Sequence, residues 1–302
     1  MLGEINSPFI ETYWQHILLG AVCYWATRYL MSFSLINTLA KEAKKIRQVR
    51  QQNSGGDSED SEDFALNPED VEPVASSALP VDLPHVPYEF TRLPPEESLK
   101  RAEEFYQLMN SRRTLRFFSD EPVPVEILHK IIHTAGTSPS GAHTEPWTFV
   151  LVSEKDLKQK IRDIVEEEER INYERRMSKQ WTTDLKPLRT CWVKEYLTVA
   201  PYLLLVFKQQ YSYTDDGKKK LHYYHDVSIN LASGILLSAI HYAGLVTLTS
   251  TPLNCGPALR AMFNRPSYEK LTLLLPIGYP AKDATVPDLK RKPLSDILIE
   301  FH

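Results

Sequence analysis

Glycine and cysteine are scarce in this chain. Its 302 residues include 11 glycines, and no three fall as G-x-G-x-x-G, which removes the Rossmann dinucleotide fingerprint. No G-x-x-x-x-G-K-[ST] occurs, so there is no P-loop for a nucleotide. Despite "SPSG" at 138–141 there is no G-x-S-x-G nucleophile elbow. The three cysteines, Cys23, Cys191 and Cys255, lie far apart and form no C-x-x-C pair. This argues against a disulfide framework and a cysteine-rich metal site, and fits a reducing compartment. "HTEPW" is not H-E-x-x-H and the nine histidines show no ligand spacing, so no metal is expected. Positive charge is not in excess either. A formal net charge of -4 is not that of a nucleic-acid protein, which carries a basic stripe.

What the chain does have is organised in blocks. After a short flank (1–11), "TYWQHILLGAVCYWATRYLMSF" at 12–33 is apolar and aromatic, and long enough to cross a bilayer as a helix. His16 and Arg28 sit inside it, and Arg28 would snorkel to an interface. An interfacial helix is the alternative. A signal peptide fits less well, because Glu4 and Glu11 precede the run and no small-x-small cleavage site follows. The next block (34–50) ends in "KEAKKIRQVR", with five basic residues. Basic flanks stay cytoplasmic, so a single-pass anchor with the rest of the chain in the cytosol is expected. Residues 51–95 include "SGGDSEDSED" and scattered prolines, with no Lys or Arg between Arg50 and Arg92. Such a segment buries too little apolar surface to fold and reads as an acidic linker.

From residue 96 to 302 the pattern is globular. "EESLKRAEEFYQLMNSRR" places Leu99, Ala102, Phe105 or Tyr106, and Met109 on one helical face. "PVEILHKIIHTAG" has Pro near its start and Gly at its end, the usual helix punctuation. Buried strands are expected at 147–152, 202–207, 245–250 and 270–278, with 297–301 as a fifth. "SEKD" at 153–156 matches a capping box opening a long helix, and another helix is expected from Pro187 to about Val199. Residues 224–244, "YHDVSINLASGILLSAIHYAG", read as a mostly apolar helix, too short and too polar for a second membrane span. Helices alternating with strands around one mixed sheet make a single α+β core.

Two motifs carry chemistry. "SRRTLRFF" at 111–118 sets three arginines among Ser and Thr directly after a helix. Guanidinium forks suit phosphate, whereas the plainer reading is a basic surface patch. "TSPSGAHTEPWTFVLV" at 137–152 forces a tight turn before a strand, and Gly141 would let backbone N–H groups approach a flat ligand.

Together these residues resemble the FMN-dependent nitroreductase family. An arginine-rich turn, then P-S-[SG]-x-x-x-x-P-W before a strand, is that family's signature. "EEEERINYERRM", "KPLRTCWVKEYL", "GLVTLTSTPLNCGP" and "ATVPDLKRKPL" resemble its membrane-anchored, halotyrosine-reducing branch. The resemblance implies an intertwined homodimer with FMN at the interface and each C-terminal tail wrapped around the partner. It puts phosphate and ribityl contacts on Arg112, Arg113, Thr114, Leu115, Arg116 and Arg291. It puts Ser140 and Gly141 along the flavin, and Thr249, Ser250 and Thr251 beside the isoalloxazine. Ser250 stands where the family usually has Thr.

The same resemblance makes "EEEERINYERRM" part of a lid over a halogenated tyrosine. Glu169 takes the substrate ammonium, Lys194 its carboxylate, and Tyr173 hydrogen-bonds either end. Glu166 to Glu168 are read as solvated. The backbone N–H of Ala142 faces the phenolate oxygen. Thr251 sits near the flavin N5, where a hydroxyl both donates and accepts and thereby governs how electrons pass. Electrons come ultimately from NADPH, through a reductase or directly. The alternatives are a nitroarene or quinone reductase, which needs no amino-acid clamp, and a non-catalytic membrane adaptor.

Overall fold

The computed structural model describes residues 79–214 and 217–302. The expected anchor, its basic flank and most of the acidic linker lie outside the described residues. Residues 79–94 run without helix or strand and are mostly exposed. No helix among the described residues is long and apolar enough to cross a membrane.

The chain then forms α1 (Pro95–Ser111), α2 (Val125–Ala135), β1 (Trp147–Val152) and α3 (Lys155–Ile171). A π-turn (Asn172–Arg176) continues α3, followed by α4 (Lys179–Leu185) and the single-turn α5 (Tyr196–Val199). Next come β2 (Tyr202–Gln209), the hairpin β3 (Tyr211–Tyr213) and β4 (Lys219–Leu221), and α6 (His225–Tyr242). The chain closes with β5 (Val246–Thr247), α7 (Gly256–Met262), β6 (Glu269–Gly278) and an extended tail.

The main sheet has the order β1-β2-β6-β5. Its two central strands explain the unbroken apolar runs. Leu204, Val206, Leu275 and Ile277 pack with α2 and α6 on one face. Leu203, Leu205, Phe207 and Leu274 pack with α3 and α7 on the other. Successive side chains of a strand point to opposite faces, so a strand covered on both sides must be apolar at every position. The result is a three-layer α+β domain with cores on both faces of one sheet.

Several expectations need correction. Every strand pair of this sheet is antiparallel, not mixed. The one parallel pairing among the described residues is an isolated bridge from Thr114 to Thr247. The expected strand at 245–250 pairs only at Val246–Thr247, lapses, and rejoins in the same register where Ser250 bridges Leu274. Residues 297–301 form no strand and are exposed. "SEKD" makes no capping box, because Glu154 is the N-cap of α3 and its side chain caps nothing. The helix expected from Pro187 shrinks to α5, and Lys194 precedes it rather than lying on it.

Candidate active site

The arginine segment leaves α1 in extended conformation at Arg112 and runs beside β5. Leu115 N–H donates to Thr247 O at 3.2 Å, and the Leu115 side chain is buried. This anchoring lets alternate residues of the segment face away from the core. The C-terminal tail crosses here. Arg291 Nη2 donates to Arg112 O at 3.2 Å, and Arg113 donates to Pro287 O. Burial, and then the adjacent Arg291, push the Arg112 pKa below its ordinary value. No salt bridge to Arg112, Arg116 or Arg291 occurs among the described residues. Two guanidiniums held together without a carboxylate call for an anion, and they fit a flavin phosphate.

Arg116 leads to the second cluster. It is in electrostatic reach of Tyr173 and Tyr196. Burial raises the Tyr196 phenol pKa. Thr249 and Thr251, on either side of Ser250, are exposed. Burial also raises the Tyr173 phenol pKa.

At the centre Lys194 Nζ lies 3.4 Å from Glu169 Oε2, with side-chain exposures of 7% and 15%. The same ammonium donates to Cys191 O at 2.5 Å and sits 5.7 Å from the centroid of the Tyr173 ring. The structure therefore brings the three expected clamp residues together. Glu169 lies near the end of α3 and Tyr173 within the π-turn that continues it.

Ser140, Gly141 and Ala142 lie elsewhere. A Cβ on Gly141 would meet Tyr223 O at 2.6 Å, so the absent side chain lets the Tyr223 backbone approach closely. Gly141 N–H donates to Ser228 Oγ at 3.4 Å near the start of α6. His143 and Thr144 N–H close the turn on Ser140 and Gly141 carbonyls, and the Ala142 N–H takes part in neither bond. Ala142, at φ 49, is exposed. The arginine segment instead adjoins the other end of α6, where Ser111 Oγ is 2.9 Å from His241 Nε2. At about 1.5 Å per residue, Ser228 and His241 are roughly 20 Å apart. The two expected halves of the cofactor site thus occupy opposite ends of one helix.

Four residues of this region were not anticipated from the sequence. Glu166 is not solvated. Its Oε1 accepts from Lys194 N–H at 2.6 Å and from Arg162 Nε at 2.7 Å. Only the Arg162 pair, four residues away on one helix, could have been inferred. Glu168 is paired too, with Arg176 at 2.7 Å. Tyr196 and the fully buried Asn172 carried no local signal.

The nitroreductase family profile matches residues 109–279, and the chain belongs to that family. Within it, the chain is similar to iodotyrosine deiodinases. It is 59% identical over 215 residues to iodotyrosine deiodinase 1 of Homo sapiens, covering 71% of this chain and 74% of that one. It is 61% identical over 218 residues to iodotyrosine deiodinase of Danio rerio, covering 72% and 74%. Among solved structures, an oxidised iodotyrosine deiodinase bound to FMN and 3-iodo-L-tyrosine matches with a TM-score of 0.56 and 31% identity. That match covers 66% of this chain and 98% of the other.

Proposed function

We propose that this protein reductively removes iodide from mono- and diiodotyrosine, giving tyrosine, with FMN as cofactor. The observation that carries the reading is the nearly buried Glu169–Lys194 pair beside Tyr173. Its charges match the two ends of a zwitterionic amino acid, and a nitroarene or quinone needs neither. The relatives' names, and the solved relative with FMN and 3-iodo-L-tyrosine, support the same reading.

Arg112, Arg113, Thr114, Leu115, Arg116 and Arg291 hold the FMN phosphate and ribityl chain, and Thr249, Ser250 and Thr251 face its ring. FMN, once reduced, supplies the two electrons for replacing C–I by C–H, with one proton taken up and iodide released. The chain's residues bind and orient. Glu169 turns from Lys194 to the substrate ammonium, and Lys194 takes the carboxylate. Iodine ortho to the hydroxyl lowers the phenol from its ordinary pKa of about 10, so phenolate is available near neutrality. The Ala142 N–H stabilises that oxygen. Closure of the 166–177 segment excludes water.

The 20 Å separation supports a homodimer, because a two-fold mate can bring the Ser140–Ala142 turn of one subunit to the arginines of the other. NADPH is the ultimate electron source, through a reductase or directly. Residues 12–33 anchor the chain, with the catalytic domain in the cytosol. A protease added to sealed vesicles, cytosolic face outward, then cuts within 51–95, and protection of that stretch reverses the orientation.

The test of the function is Glu169→Gln, which keeps shape and loses charge. Loss of one charge-assisted contact costs roughly 2–3 kcal/mol, so diiodotyrosine affinity falls about a hundredfold. FMN retention and the binding of an iodophenol lacking the amino-acid end stay unchanged. Equal losses for both ligands would sink the clamp.

A further inference from the structure

Asn172 lies in the π-turn between Glu169 and Tyr173, and its side chain is fully buried. A side-chain amide offers two donor hydrogens and two acceptor lone pairs. Here every one has a partner. Nδ2 donates to Glu169 Oε1 at 3.3 Å and to Leu253 O at 3.4 Å. Oδ1 accepts from Arg176 Nη1 at 3.0 Å and from Asn254 Nδ2 at 3.3 Å. The orientation is dictated by the partners. Turning the amide over would set NH₂ against two donors and its oxygen against two oxygens.

The partners come from two separate elements. Glu169 is the clamp carboxylate, and the bonded atom is Oε1, leaving Oε2 to Lys194. Leu253 and Asn254 belong to the loop that follows Thr249–Thr251 and leads into α7. That loop is tight, with Asn254 at φ 64 and Pro252 buried. One saturated, buried amide therefore joins the residue that reads the substrate's amino group to the backbone that presents Thr251.

We propose that Asn172 is a positioning residue that transmits occupancy of the Glu169–Lys194 clamp to the Thr251 loop, so that the hydroxyls there are fixed only when an amino acid is bound. The inference rests on the function proposed above. An arriving ammonium pins Glu169, and the Asn172 bonds carry that restraint to residues 251–254. Arg176, which donates to Asn172 Oδ1 at 3.0 Å and to Glu168 Oε2 at 2.7 Å, holds the far side of the amide.

The test is amide hydrogen exchange of the FMN-loaded full-length protein, with and without saturating diiodotyrosine. In the wild type, ligand should slow exchange in both 166–177 and 249–256. In Asn172→Ala, the diiodotyrosine Kd should rise about tenfold, as for one lost bond to a charged group. At matched occupancy, 166–177 should remain protected and the ligand-induced protection of 249–256 should vanish. Asn254→Gly removes only one of the four bonds and suits φ 64, so it folds even where Asn172→Ala does not. It should diminish the same protection. Wild-type protection of 249–256 in either variant overturns the coupling. Wild-type protein that binds no diiodotyrosine, seen by flavin absorbance, overturns the functional reading and this inference with it.

Discussion

At the scale of single residues, four identical acids have four different fates. Glu167 is exposed and pairs with Arg170, Glu168 pairs with Arg176, Glu169 faces Lys194, and Glu166 holds the Lys194 N–H. Replacing Glu166 by Ala leaves that N–H without its acceptor, at a cost of about 1–3 kcal/mol. The expected outcome is a higher KM for diiodotyrosine with FMN retention intact. Glu167→Ala, at an exposed site, should change both by less than about 0.5 kcal/mol. Equal effects from the two would show that Glu166 does not position Lys194. The clustering of Glu169, Tyr173 and Lys194 was legible because the quoted stretches resemble a known pattern. Glu166 was not, because its deciding contact reaches a distant loop whose path periodicity does not reveal.

At the scale of elements, the legible features were those with a local cause. The buried strands showed as apolar runs because both faces of β2 and β6 are covered. Strand polarity, the β3–β4 hairpin and the π-turn were invisible, since each depends on where the chain goes next. The junction between β4 and α6 shows the same limit. His222 is buried there, and neither ring nitrogen has a hydrogen-bond partner among the described residues. Burial first, then Lys220 and His225, depress its pKa to about 4. An unfolded histidine titrates near ~6.5, so between these values the unfolded chain binds the extra proton and stability falls as pH falls. Melting temperature should therefore drop from pH 6.5 towards pH 4, and His222→Gln should flatten that part of the slope. An unchanged slope would assign the acid sensitivity to other groups.

At the scale of the whole molecule, the described residues leave much apolar surface exposed. No residue of α1 is buried, although its sequence shows an apolar face, and Leu99, Phe105 and Tyr106 are more than half exposed. A groove of about 1060 Å³ among α1, α2 and α6 is lined by Phe105, Ile127, Leu231, Ile235 and Tyr242. The tail exposes Ile297, Ile299 and Phe301. Contiguous apolar patches of this kind mark association surfaces. The proposed cofactor site draws on residues near both ends of α6, so the proposed dimer makes a quantitative prediction. Arg112→Ala with Arg291→Ala removes one half of each site, and Ala142→Trp obstructs the other half at an exposed position. Either variant alone should lack deiodination, and the arginine variant should also lose FMN. Co-expressed in equal amounts, half of the dimers are mixed. In each mixed dimer one site receives both damaged halves and the other receives two intact ones. Activity should return to about a quarter of wild type, as a two-fold shared site requires. If every site were built within one protomer, no combination of these subunits could restore an intact one, and the co-expressed activity would stay at the level of the single variants.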